Sequence, residues 1–206
     1  MYRKISEIIS AVFQPLLMPS LIIGFLLFGL PESEIAGAPN KPLIFFVVVA
    51  NTFVIPLAIL LVMRYTKVIP SLKMEQKQDR VFPFSMISLL YMVTAYAFYI
   101  KDWMDYKLIF TLFIITICLI LLTSITYFWK ISAHMMGVGG LLGIILAYSL
   151  ILTGFNLLYP VLGAIILTGA VGTARLYLNA HTPSQVWGGF LLGFLVCFGA
   201  YYMVWG

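Results

Sequence analysis

Apolar residues fill this chain in long runs, and polar residues are confined to the breaks between them. Residues about 5–30, 42–63, 82–100, 108–128, 138–155, 159–177 and 183–205 form apolar segments. Several exceed the roughly 18 residues that indicate a membrane-spanning helix. A transmembrane barrel would show short segments of strict alternation instead. The pattern predicts an all-α, polytopic membrane helix bundle folded as one domain over residues 1–206. It has six core transmembrane helices plus an N-terminal segment broken by Pro15 and Pro19, giving six or seven spans. Trp103, Tyr106, Trp129, Tyr159 and Trp205 fall near segment ends, as interfacial aromatics do.

Composition narrows the class further. The 206 residues are 63% hydrophobic and 9% charged, more apolar surface than a soluble domain can cover. A net charge of +5 is small and dispersed, so no nucleic-acid partner is expected. Cys118 and Cys197 each sit in the middle of an apolar run, where packing is expected rather than redox or metal work. Arg3 and Lys4 ahead of an apolar stretch suggest a signal peptide. Pro15 and Pro19 break that stretch, and Pro39 follows the small residues Ala36-Gly37-Ala38 that would mark cleavage. The segment is expected to be retained.

Three polar breaks carry the candidate chemistry. The first, about 64–81, holds Arg64, Lys67, Lys73, Glu75, Lys77, Asp79 and Arg80. Two crossings later come Ser132, Ala133 and His134. After two more comes the stretch from Arg175 through His181 to Gln185. Even numbers of crossings place all three breaks on one membrane face. Ionisable groups in so apolar a chain are a functional site by default. Lys and Arg neutralise phosphate oxygens, with Arg offering a bidentate fork. A neutral His can attack phosphorus while a second, protonated His donates to the leaving oxygen. A metal mechanism needs hard oxygen ligands or a three-ligand zinc site, and no Asp or Glu follows Asp105. Metal-free phosphoester hydrolysis through a phosphohistidine suits these residues best.

These breaks resemble the type 2 phosphatidic acid phosphatase superfamily of membrane lipid phosphatases. That family shows Lys, six residues, Arg-Pro; then Pro-Ser-Gly-His; then Ser-Arg, five residues, His, three residues, Asp. Here stand Lys73, six residues, Arg80-Val81; Ile131-Ser132-Ala133-His134; and Ala174-Arg175, five residues, His181, three residues, Gln185. The resemblance covers a motif-bearing core of about 64–205. It implies His181 as nucleophile and His134 as general acid. Lys73, Arg80 and Arg175 would bind phosphoryl oxygens, and Ser132 with nearby backbone amides, including that of Ala133, would complete the cradle. It implies no cofactor. Val81 and Ile131 replace prolines, Ala133 a glycine, Ala174 a serine, and Gln185 the aspartate that would orient His181. A Gln carbonyl still accepts from Nδ1–H, but without the charge.

Plainer readings accompany these. Thr182-Pro183-Ser184-Gln185 is a capping box with Pro at the first helical position, compatible with Gln185 also meeting His181. The Lys73–Arg80 stretch also has a reading as a solvated basic loop, and His134 one as an interfacial polar residue. Lys67, Lys77 and Lys130 are expected to be headgroup or topology charges. Gly139 to Gly143 and Gly189 to Gly193 read as close helix packing. Seven full spans would put the motif face in the cytoplasm by the positive-inside rule, whereas a re-entrant first segment removes that bias. The resemblance implies the outer face of a bacterial cytoplasmic membrane. The expected protein is a lipid phosphatase acting on phosphatidate, phosphatidylglycerol phosphate, a polyprenyl pyrophosphate or a lipid A phosphate. A catalytically inactive relative that binds phospholipid or a membrane partner is the alternative. A transporter would show repeat symmetry, which is not evident.

Overall fold

The computed structural model describes residues 1–35, 40–72, 74, 76–101 and 103–206. The cleavage-like stretch at 36–39 lies outside them, as do Lys73, Glu75 and Asp102. Among the described residues the regular structure is helical. In chain order the α-helices are α1 (Tyr2–Val12), α2 (Met18–Gly29), α3 (Lys41–Val49), α4 (Ile55–Tyr65) and α5 (Gln78–Lys101). They continue with α6 (Tyr106–Phe128), α7 (Ala133–Ile151), α8 (Leu158–Tyr177) and α9 (Pro183–Trp205). Seven helical stretches among the described residues are long and apolar enough to cross a membrane. The protein is an integral, multi-pass membrane protein, as the run pattern predicts.

One boundary differs from expectation, and one break falls where the prolines predict it. α7 begins at Ala133 rather than near 138, because the Ser132 hydroxyl accepts from the Met135 amide at 3.4 Å and caps the helix. His134 therefore sits in a first helical turn, not in a loop. The N-terminal segment is broken at Phe13 and Gln14. Gln14 is extended, with φ −68° and ψ 151°, as a residue before proline tends to be.

Contacts divide the chain into two compact units, Met1–Met18 with Lys130–Gly206, and Pro19–Trp129. In the first unit α7 is the most enclosed helix, and α9 runs against it at backbone distance. A Cβ on Gly193 would overlap the Met136 carbonyl, and one on Gly189 the Ser132 carbonyl. Small residues permit such approach in a membrane, where apolar burial drives little helix association. α1 lies along α8. Ser6 and Ser10 are buried against the unit, while Tyr2, Ile5, Ile8 and Val12 are exposed together with Arg3, Lys4 and Glu7.

The second unit is built around α5 and α6. Asp105 caps α6 by accepting from the Lys107 amide at 2.8 Å, and the Lys107 ammonium meets Glu34 at 2.6 Å. Lys77 donates to the carbonyls of Tyr127 and Phe128, each at 3.1 Å. It caps the C-terminus of α6, where the sequence suggested a headgroup charge. Between α3 and α4 the chain makes a π-turn over Ala50–Val54. Pro56 has no N–H to give the Thr52 carbonyl, and the Tyr91 hydroxyl donates to it instead.

Candidate active site

His181 is held between two helix ends that each fix the backbone. α8 closes in a Schellman turn: the Ala180 amide bonds the Arg175 carbonyl at 3.2 Å and the Asn179 amide bonds Leu176 at 2.9 Å. Asn179 takes the left-handed conformation, φ 50°, which this motif requires and Asn tolerates. α9 opens in the expected capping box. Thr182 Oγ1 accepts from the Gln185 amide at 3.4 Å, and Gln185 Oε1 accepts from the Thr182 amide at 3.2 Å, with Pro183 at the first helical position. Only Ala180 and His181 lie between Asn179 and the cap.

The His181 ring is oriented as tightly as its backbone. It is 7% exposed. Its Nδ1 lies 3.1 Å from Gln185 Oε1 and 3.2 Å from the Lys130 carbonyl oxygen. Both are acceptors, so Nδ1 carries the proton in the neutral ring and Nε2 presents the lone pair. Gln185 thus serves the cap and the imidazole with one oxygen. The Lys130 carbonyl is a partner that no sequence pattern marks, since any residue supplies a carbonyl.

Ser132 and Gln185 bring the start of α7 to the start of α9, the Ser132 amide bonding the Gln185 carbonyl at 3.2 Å. Ser132 is fully buried. Two helix N-termini, each a positive dipole end, therefore meet beside His181, an arrangement that favours an anion. Ala133, also buried, and His134 occupy the first two positions of α7. His134 Nε2 lies 3.1 Å from the Ser10 carbonyl, an acceptor only, so Nε2 carries a proton. Ser10 is a contact that the expected 64–205 core left out.

Arg175 stands in the last turn of α8, tied to the His181 loop through the Schellman bond of its own carbonyl. Its Nε is buried with no hydrogen-bond partner. A buried guanidinium N–H without an acceptor carries an unmet desolvation cost, which an anionic ligand would offset. Arg80 belongs to the other unit, buried, its Nε donating to the Met74 carbonyl at 2.8 Å. Lys73 lies outside the described residues. Among the described residues, no group of three His, Cys, Asp or Glu side chains could hold a metal ion.

The family model described as PAP2 superfamily matches residues 128–206. No curated protein and no solved structure matches the chain. The match spans Ser132, Ala133, His134, Arg175, His181 and Gln185 and leaves out Lys73 and Arg80. This superfamily is associated with phosphatase-type activity on phosphate esters and with membrane proteins. Over residues 128–206, with the capped histidine and the convergent helix ends among them, the chain is thus similar to the PAP2 superfamily, in line with the resemblance of its motifs to the type 2 phosphatidic acid phosphatases.

Proposed function

We propose that this protein hydrolyses a phosphomonoester or pyrophosphate on a membrane lipid, without metal, through a phosphohistidine on His181. The observation that carries the reading is the ring of His181. Two acceptor oxygens on Nδ1 make Nε2 the basic nitrogen, the state a histidine nucleophile needs.

Nε2 of His181 attacks phosphorus, and the bond from phosphorus to the lipid oxygen breaks. The leaving oxygen takes a proton from His134 in its imidazolium form. Water then attacks the phosphohistidine with His134 as base, releasing inorganic phosphate and restoring both rings. Arg175, the Ser132 hydroxyl and the amides opening α7 bind the phosphoryl oxygens, over which charge is spread in the transition state. The resemblance also names Lys73 and Arg80 as phosphate-binding residues. The substrate is a lipid such as phosphatidate, phosphatidylglycerol phosphate, a polyprenyl pyrophosphate or a lipid A phosphate. The site faces outward from a bacterial cytoplasmic membrane.

The test is phosphate release from a panel of these purified lipids by detergent-purified protein, with and without EDTA, beside His181→Ala. Turnover by wild type in EDTA and none by the variant supports the reading. Wild-type protein that binds lipid phosphate and releases nothing favours the inactive relative, which Gln185 in place of a carboxylate motivates.

A further inference from the structure

The N-terminal helix ends at a point that leaves one carbonyl available to His134. In a continuing helix the Gln14 amide would bond the Ser10 carbonyl. Pro15 prevents this by holding Gln14 extended, so α1 stops with the Phe13 amide on Ile9. The released Ser10 carbonyl lies 3.1 Å from His134 Nε2. It belongs to the last turn of α1, whose carbonyls carry the negative end of the helix dipole. Ser10 is buried, its own hydroxyl has no hydrogen-bond partner, and the helix that carries it packs on α8, the helix of Arg175. Residues 1–18 share one compact unit with 130–206. A helix outside the matched stretch thus supplies a direct partner to a site histidine.

We infer that Ser10 is a positioning residue: its main-chain carbonyl, set free by Pro15, fixes the His134 ring so that Nδ1 faces the leaving oxygen as the proton donor. The inference rests on the reading of His134 as general acid. With Nε2–H committed to Ser10, the transferable proton is the one on Nδ1 of the imidazolium. The two histidines then hold opposite neutral tautomers, Nδ1–H in His181 and Nε2–H in His134.

The chain has only two histidines, so nitrogen-15 labelling of the imidazoles gives two ring spectra, assigned with His181→Ala. Full-length protein in detergent, above the titration of both rings, is expected to show one ring of each tautomer. Pro15→Ala allows α1 to run on and the Gln14 amide to take the Ser10 carbonyl. It is expected to abolish the fixed Nε2–H tautomer of His134. It should also slow turnover of phosphatidate about tenfold with KM unchanged, a part of the 10²–10⁴ that general acid catalysis supplies. Turnover of 4-nitrophenyl phosphate, whose leaving group needs no proton, should stay within about twofold. An Nδ1–H tautomer for wild-type His134 overturns the inference, even if Pro15→Ala does not fold. Equal loss on both substrates, or no loss on phosphatidate, overturns it too. His134→Ala must show the same dependence on leaving group. If it does not, the general-acid reading fails, while the tautomer still reports on the Ser10 contact.

Discussion

At His181 the chain holds one ring nitrogen, Nδ1, under two oxygens, those of Gln185 and Lys130. That arrangement was half legible in the sequence. The spacing from His181 to Gln185 put an acceptor within reach of the ring, and the capping box followed from Thr182 and Pro183. The Lys130 carbonyl was not legible, because a backbone acceptor leaves no trace in residue type. It bears on the Gln185 departure: Nδ1 meets two neutral acceptors where the resemblance implies one carboxylate. His181→Ala is expected to fold and to lose turnover by at least about a thousandfold, as loss of covalent catalysis entails; retained phosphate release above about a tenth would remove it from the mechanism. Gln185→Glu keeps the reach to Nδ1 and adds the charge. A charged hydrogen bond exceeds a neutral one by about 1–2 kcal/mol, so phosphorylation in a rapid-quench experiment should quicken about tenfold. An equal or slower rate would mean that this pocket is built around an amide.

Among the elements, helix ends and close crossings decide where the site residues stand. The glycines at 139, 143, 189 and 193 announced a close pair of helices, and α7 and α9 meet at those positions. Gly189 lets α9 pass against the Ser132 carbonyl, so the crossing and the site share one contact. Gly193→Ala introduces a methyl into the Met136 carbonyl and is expected to cost about 1–3 kcal/mol, as overpacking does. Thermal unfolding in detergent should show a midpoint lower by several degrees, and an unchanged midpoint would mean that the helices can part without cost. The start of α7 was misjudged from hydropathy, since Ser132 and His134 interrupt the apolar run while Ser132 in fact begins the helix. The π-turn before Pro56 was not legible beyond the proline itself. Its repair comes from Tyr91, 39 residues on. Tyr91→Phe leaves the Thr52 carbonyl without that donor and should cost about 1 kcal/mol; the same unfolding assay would show no shift if the hydroxyl contributed nothing.

Across the whole molecule, the spans were readable because a bilayer forces every backbone group into helices and every helix to be long and apolar. The association of residues 1–18 with 130–206 was not, since contacts between stretches more than a hundred residues apart have no local signature. Its consequence is chemical, for it brings the Ser10 carbonyl to His134. The superfamily match over residues 128–206 was legible through residue type and order, because two histidines, an arginine and a hydroxyl at these spacings suit few reactions. A metal-free phosphoryl transfer should proceed unchanged in EDTA, and vanadate, which mimics five-coordinate phosphorus, should compete with substrate. Activity lost on chelation and restored by a divalent ion would sink that chemistry. The most direct measurement is to trap the intermediate: mix the protein with a lipid phosphate labelled with phosphorus-32, quench within milliseconds in base, and locate the label by peptide mapping. The label should lie on His181 as the Nε2 isomer, since Nδ1 is committed to Gln185 and Lys130, and should be absent from His181→Ala. Label on another residue, label on Nδ1, or normal turnover with no labelled histidine would contradict the account.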